Sequence, residues 1–294
     1  MRIRATVAAV TGALALSALA VPAAQADAQG DVNLNRPSAA ERFGASSDKS
    51  AFGAAAVAAA EPVVSNVKVN AGKAVVVGTT YTKTFTVSLT ATHASGIEDA
   101  YIDLWHGTDI DEGLDGFLPP NEEAATCTAT SATTSSCKLT ISAAPGLNDD
   151  GVGELYANVL AGTWHVTVGA LSKSGDIYWN DYYGTHKVQR ASKLTVNASP
   201  EPVKKGRTIT VTGKLSRANW ETFKYAGYTN QSVKLQFRKK GSDTYTTLKT
   251  IKSNSTGELK TTTTASTDGY FRWSFAGTTT TPAVNATGDF VDVQ

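Results

Sequence analysis

A chain of 294 residues with 41% hydrophobic and 18% charged residues is long enough for about two domains and too apolar to be disordered throughout. Past the N-terminus no stretch approaches the ~20 apolar residues that a membrane-spanning helix needs. The net charge of +1 hides a split: Pro62 to Gln189 holds six basic and fourteen acidic residues, whereas Arg190 to Gln294 holds sixteen basic and seven acidic. Such a split can turn the two halves toward each other or toward a charged surface.

The basic start Met1-Arg-Ile-Arg4, the apolar run Val7 to Val21 and the small-x-small site Ala24-Gln25-Ala26 form an export signal over residues 1–26. The mature chain is then expected to begin at Asp27, to be secreted and to have no membrane insertion after cleavage. Residues 27–61 are rich in Ala, Ser, Gly and Asp without a sustained hydrophobic period, which predicts a flexible, disordered leader. Within it, Ala51 to Ala60 suits a short helical turn ended by Pro62.

From Val63 the period becomes two. Val63 to Val69, Ala74 to Val77, Thr84 to Ala91 and Ala100 to Trp105 alternate apolar with polar residues, the pattern of half-buried strands. Trp105 is expected to fill the space between two sheets. His106 to Glu123, with its acids and Pro119-Pro120, is expected to be a long loop. Ala124 to Ala129 and Ser136 to Ser142 then form a hairpin, Gly162 to Ser172 places Trp164, Val166 and Val168 on one face, Lys173 to Asp176 turns the chain, and His186 to Arg190 closes the domain. The two cysteines, Cys127 and Cys137, flank the polar turn of that hairpin, and in an oxidising compartment so isolated a pair forms a disulfide.

The second half has strands at Leu194 to Asn197, Thr208 to Leu215, Ser232 to Arg238, Tyr245 to Lys252, Glu258 to Thr264, Tyr270 to Phe275 and Asp289 to Val293. Seven short strands at this spacing predict an immunoglobulin-type sandwich. The expected fold is all-β, with two tandem immunoglobulin-like β-sandwich domains over residues 62–190 and 191–294. Ala198-Ser-Pro-Glu-Pro-Val-Lys-Lys-Gly206, Val233-Lys-Leu-Gln-Phe-Arg238, Asp268-Gly-Tyr-Phe-Arg-Trp-Ser-Phe275 and the ending Asp289-Phe-Val-Asp-Val293 resemble the Ig-like modules of secreted proteins from Streptomyces-type actinobacteria. The resemblance covers Leu194 to Val293; Gly162-Thr-Trp-His-Val-Thr-Val168 resembles, more loosely, the final hairpin of bacterial Ig-like domains. It implies export and a non-enzymatic module, and transfers no functional residue.

Two kinds of candidate site stand out. Asp109, Asp111 and Asp115, with Asp149 in the turn Asn148 to Gly151, cluster oxygen ligands of the kind calcium takes, although the spacing departs from an EF-hand. The competing view is that these acids are solvated loops satisfying their own backbone. Tyr178, Trp179 and Tyr182 in one stretch, and Trp220, Tyr225 and Tyr228 in another, would suit stacking on a carbohydrate, or else cap the open ends of the sandwiches. The four histidines show no metal spacing, no nucleophile elbow or phosphate loop is present, and no paired carboxylates line a cleft. A polysaccharide-acting enzyme is therefore the least favoured reading. The expected partners are cell-wall polysaccharide or another surface protein, with no nucleic acid and no cofactor unless calcium binds.

Overall fold

The computed structural model describes residue 34 and residues 36–44, 60–146 and 154–294. The expected export signal, most of the expected leader and the turn that holds Asp149 lie outside these residues. The described residues belong to one compact unit, and among them no helix is long and apolar enough to cross a membrane.

Alternation of apolar and hydroxyl side chains makes the strands. In β3 (Lys83–Thr92), Phe85, Val87, Leu89 and Ala91 are buried while their neighbours are not. Opposite it, β7 (Thr134–Pro145) buries Cys137, Leu139, Ile141 and Ala143. Each such aliphatic or aromatic side chain contributes roughly 1.5–3 kcal/mol of burial free energy, which fixes the register because a one-residue slip would turn the whole set outward.

The first sandwich has two sheets. One is β1 (Val63–Val69), β3, β7 and β6 (Thr126–Ala129) in that order, with β8 (Glu154–Leu155) beside β7. The other runs β2 (Val75–Val77), β10 (Ile177–Arg190), β9 (Gly162–Ser172), β4 (Ile97–Gly107) and β5 (Leu114–Leu118). The chain passes from the edge of the first sheet to the edge of the second between β1 and β2, and β2 pairs parallel with β10. This strand order is that of an immunoglobulin-like sandwich. The disulfide Cys127–Cys137 joins directly opposed residues of β6 and β7, as the sequence predicts.

Three expectations need correction here. The stretch from His106 to Glu123 is not one long loop: Leu114, Phe117 and Leu118 form β5, a strand disguised by the acid and glycine between them. The aromatic stretch 177–183 does not cap an end but runs inside the 14-residue β10, whose bulge between Asn180 and Gly184 breaks the alternation. Trp105 does not stand between the sheets. Ala100, Ile102 and Leu104 take that side of β4, leaving Tyr101, Asp103 and Trp105 on the outer face.

The second sandwich pairs β13 (Thr208–Asn219) with β11 (Ser192–Leu194), β12 (Asn197–Ser199), β14 (Lys224–Gly227) and β17 (Glu258–Thr264). Its other sheet runs β16 (Thr246–Lys252), β15 (Ser232–Lys239), β18 (Gly269–Phe275) and then β19 (Val284–Asn285) and β20 (Asp289–Val291). Val211, Leu235, Leu259, Phe271 and Trp273 form its core.

Candidate recognition site

The outer face of β4, β9 and β10 gathers polar and aromatic groups in rows set by register. Tyr101 stands opposite Gly169, which stands opposite Trp179; Asp103 stands opposite Thr167; Trp105 stands opposite His165. Gly169 is what lets the rings close over the strand, since a Cβ there would lie 2.6 Å from the Trp179 ring and 3.0 Å from Phe43. Tyr101 stacks on Trp179 at 5.1 Å, and Trp105 stacks on His165 at 4.1 Å under the edge of Tyr182. Burial, then the neighbouring His106, hold the His165 imidazole below its ordinary value.

A segment expected to be part of the disordered leader covers this face. Ser38 caps the five-residue helix α1 (Ala39–Phe43): its hydroxyl accepts from the Glu41 amide, and the Glu41 carboxylate accepts from the Ser38 amide at 2.8 Å. Donation to the carboxylate by that amide, and then by the Ser38 hydroxyl at 2.8 Å, holds the Glu41 carboxyl below its ordinary value. Phe43 meets Trp179 edge-on at 5.9 Å, and Arg42 pairs with Asp99 at 2.8 Å. Arg36 reaches deepest. It donates to Asp103 at 2.8 Å and to Thr167 and Asp181 at 2.6 Å each.

Asp103 is wholly buried, and a buried carboxylate is costly unless a cation and hydrogen bonds compensate it. Burial pushes its carboxyl up; Arg36 is the first of the groups that draw it back down. Burial and the Asp103 charge likewise raise the Tyr101 phenol. Arg36 therefore neutralises a charge that β4 would otherwise carry unpaired. The signal for this segment was present in Ser38-Ala-Ala-Glu41, the spacing of a capping box.

The predicted calcium ligands take different partners. Asp109 folds back on its own loop, accepting from the amides of Asp111 at 2.9 Å and Glu112 at 3.4 Å. Asp115 meets His106 at 2.5 Å. Asp149 lies outside the described residues, and among those residues no three His, Cys, Asp or Glu side chains converge on a metal position.

The six predicted sugar-stacking aromatics separate into three groups. Trp179 is sandwiched as described, Tyr182 is half exposed beside Trp105 and His165, and Tyr178 packs on the core side of β10. Trp220 and Tyr225 instead make the seam between the sandwiches, and Tyr228 turns back into the second core. Trp220 is fully buried and belongs to the core of the first sandwich, so it is not available to a sugar. Tyr225 packs against the same core with the Lys193 ammonium 3.8 Å above its ring. Tyr228 is 9% exposed in the second core, with the Arg217 guanidinium 3.9 Å over it. The cause is the length of β13, which continues past its own sandwich and delivers the β13–β14 hairpin into the neighbour.

Polar bonds lock the seam. The Trp220 indole donates to the Val77 carbonyl at 3.4 Å, and its amide donates to Asn158 at 3.1 Å. Asn158 donates in turn to Asn219 at 3.0 Å and to Glu221 at 2.8 Å. Arg190 donates to the Ala218 carbonyl at 2.6 Å, and burial, then the nearby Arg217, push its guanidinium down to about 10. Gln189 bonds the carbonyls of Thr278 and Thr279 at 2.9 and 3.0 Å.

No family model matches the chain, and no curated protein does. Among solved structures it is similar to dimeric latent PorU from Porphyromonas gingivalis, at 11% identity over 80% of this chain and 20% of that one, with a TM-score of 0.26. It is similar also to the D00–D0 domain of intimin, at 14% identity over 77% of this chain and 99% of that one, TM-score 0.25. The adhesin InvE of Yersinia pseudotuberculosis gives 14% identity over 74% of this chain and 56% of that one, TM-score 0.25. The chain thus spans a fifth of PorU and about half of InvE. At these identities and scores the likenesses carry no functional argument, and the immunoglobulin-like assignment rests on the strand order itself.

Proposed function

We infer that this chain is an exported, non-catalytic binding and structural protein, whose two sandwiches hold a recognition surface rigidly outside the cell. The observation that carries this reading is the seam: Trp220 lies at 0% exposure inside the neighbouring sandwich's core, a fusion that removes the hinge two tandem modules usually keep. The disulfide suits an oxidising exterior. Asp103, fully buried in the first sandwich, is engaged by Arg36, an arrangement that orders a surface and does not poise that carboxylate as a general base.

Cell-wall polysaccharide or another surface protein is the partner class this reading favours. Co-sedimentation of the mature protein with insoluble peptidoglycan and with chitin tests it, alongside an assay for new reducing ends. The expected result is retention in the pellet at low salt with no new reducing ends. Recovery of all the protein in the supernatant, or reducing ends that accumulate in proportion to protein, overturns it.

A further inference from the structure

The second sandwich carries a row of cations on its outer face, and among the described residues no acid neutralises the two guanidiniums in it. Register places Arg238 opposite Tyr270 and Tyr270 opposite Phe290, with Gln236 opposite Arg272 in the adjacent row. Arg238 lies 3.8 Å over Tyr270 and 5.4 Å from Tyr245, while Arg272 lies 3.7 Å over the same Tyr245. The ladder extends through Phe290, 5.1 Å from Tyr270, to Lys240 at 5.4 Å.

Both guanidiniums are held in place. Arg238 donates to the Ser242 carbonyl at 2.8 Å, and Arg272 donates to Gln236 at 2.9 Å. Among the described residues neither reaches a carboxylate; in this row only Lys240 does, pairing with Asp268 at 3.5 Å on the exposed surface. A guanidinium held over a ring has already lost much of its side-chain freedom, and its fork matches a planar carboxylate two N–H groups at a time. Each of these forks donates one bond within the chain and keeps further N–H donors. Two such like charges share Tyr245 in a half with sixteen basic and seven acidic residues. Their mutual repulsion is relieved when an anion binds both.

The geometry points to this ladder as a binding site for an extended, carboxylate-bearing polysaccharide, with Arg238 and Arg272 taking carboxylates and Tyr245, Tyr270 and Phe290 presenting ring surface to the sugars. This rests on the binding reading above and names its ligand class. Successive uronate units along one chain would meet successive cations across the strands. The matching face of the first sandwich is covered by residues 36–44 and has the opposite chemistry, a buried acid that takes a cation from its own chain.

The test is the affinity of the mature protein for polygalacturonate at low salt, with inorganic polyphosphate as the comparison polyanion. Arg238→Gln with Arg272→Gln should weaken polygalacturonate binding about tenfold or more, whereas Lys204→Gln with Lys205→Gln, the same charge removed from the loop before β13, should change it less than about twofold. Arg272→Lys keeps the charge and loses the fork, and should fall well toward the glutamine variant. Unchanged melting temperatures in these surface variants confirm that binding alone is being read. Equal losses in the two double variants would reduce the effect to net charge and overturn the site. Binding to polyphosphate without binding to polygalacturonate would also overturn it. Failure here with continued co-sedimentation on wall polysaccharide removes this site and leaves the binding reading standing; failure of both removes both.

Discussion

Replacing Arg36 by alanine should destabilise the first sandwich far more than a substitution in a disordered leader could. Arg36 has a side chain 9% exposed and faces the fully buried Asp103 at 2.8 Å. Removing one partner of a buried ion pair leaves an uncompensated charge and costs about 3–5 kcal/mol. For a unit of this size that is a fall in melting temperature of about 6–20 °C. The loss should depend on pH with a definite sign. Burial raises the Asp103 carboxyl above its unfolded value, so this group favours folding while protonated, and that contribution is lost as pH rises through the folded value. Without Arg36 the folded value rises further. The deficit should therefore be largest at neutral pH and shrink as pH falls toward the ordinary carboxylate range. Urea unfolding of wild type, Arg36→Ala, Asp103→Asn and the double variant at about pH 7 and about pH 4 measures this directly. In the double variant much of the stability lost at neutral pH should return. A deficit of about 0.5 kcal/mol or less, the size of an ordinary surface change, and flat with pH, would refute the reasoning.

Other consequences are simpler. Reduction of the Cys127–Cys137 bridge, which spans 10 positions in sequence, should lower stability by about 2.5–3 kcal/mol on the chain-entropy model, read from urea midpoints with and without reductant. Gly169→Ala should dislodge Trp179 and Phe43, because its Cβ would lie 2.6 Å from the indole; the expected mark is a changed near-ultraviolet circular dichroism with strand content retained, and an unaltered spectrum would contradict the packing described. Calcium should leave the melting temperature unchanged, since the Asp109 carboxylate is engaged by its own loop and Asp115 by His106. A rise that chelator reverses and that Asp109→Ala with Asp111→Ala abolishes would establish a metal site.

Strands were legible where apolar and polar residues alternated over a long run. Glu258–Thr264 and Lys83–Thr92 alternate cleanly, and the structure places strands there. The disulfide was legible because two lone cysteines flanked a short hairpin. Alternation says which residues share a face, but not which face is inward when both are covered. That is why Trp105 could be placed between the sheets: Tyr101 and Trp105 look as much like core as Ala100, Ile102 and Leu104. Asp103 held the answer, because it has the parity of Tyr101 and Trp105 and a carboxylate marks the side away from the apolar core.

Trp220 could not be assigned from sequence. Its indole leaves its own sandwich, and no local period records which neighbour it enters. Tyr225 follows it into the seam whereas Tyr228 packs in its own core, a parting that a sequence window cannot show, since it holds the cluster of rings and not the surface opposite. Arg36 was overlooked because its partners Asp103, Thr167 and Asp181 are 67, 131 and 145 positions away.

Calorimetry of residues 27–294, wild type beside Trp220→Ala, tests most directly whether the two sandwiches form one body. Wild type should unfold in a single cooperative transition. Trp220→Ala, which empties a fully buried site at the seam, should lose about 3–5 kcal/mol and let the two sandwiches melt separately. Two resolved transitions already in the wild type, unchanged in the variant, would contradict it.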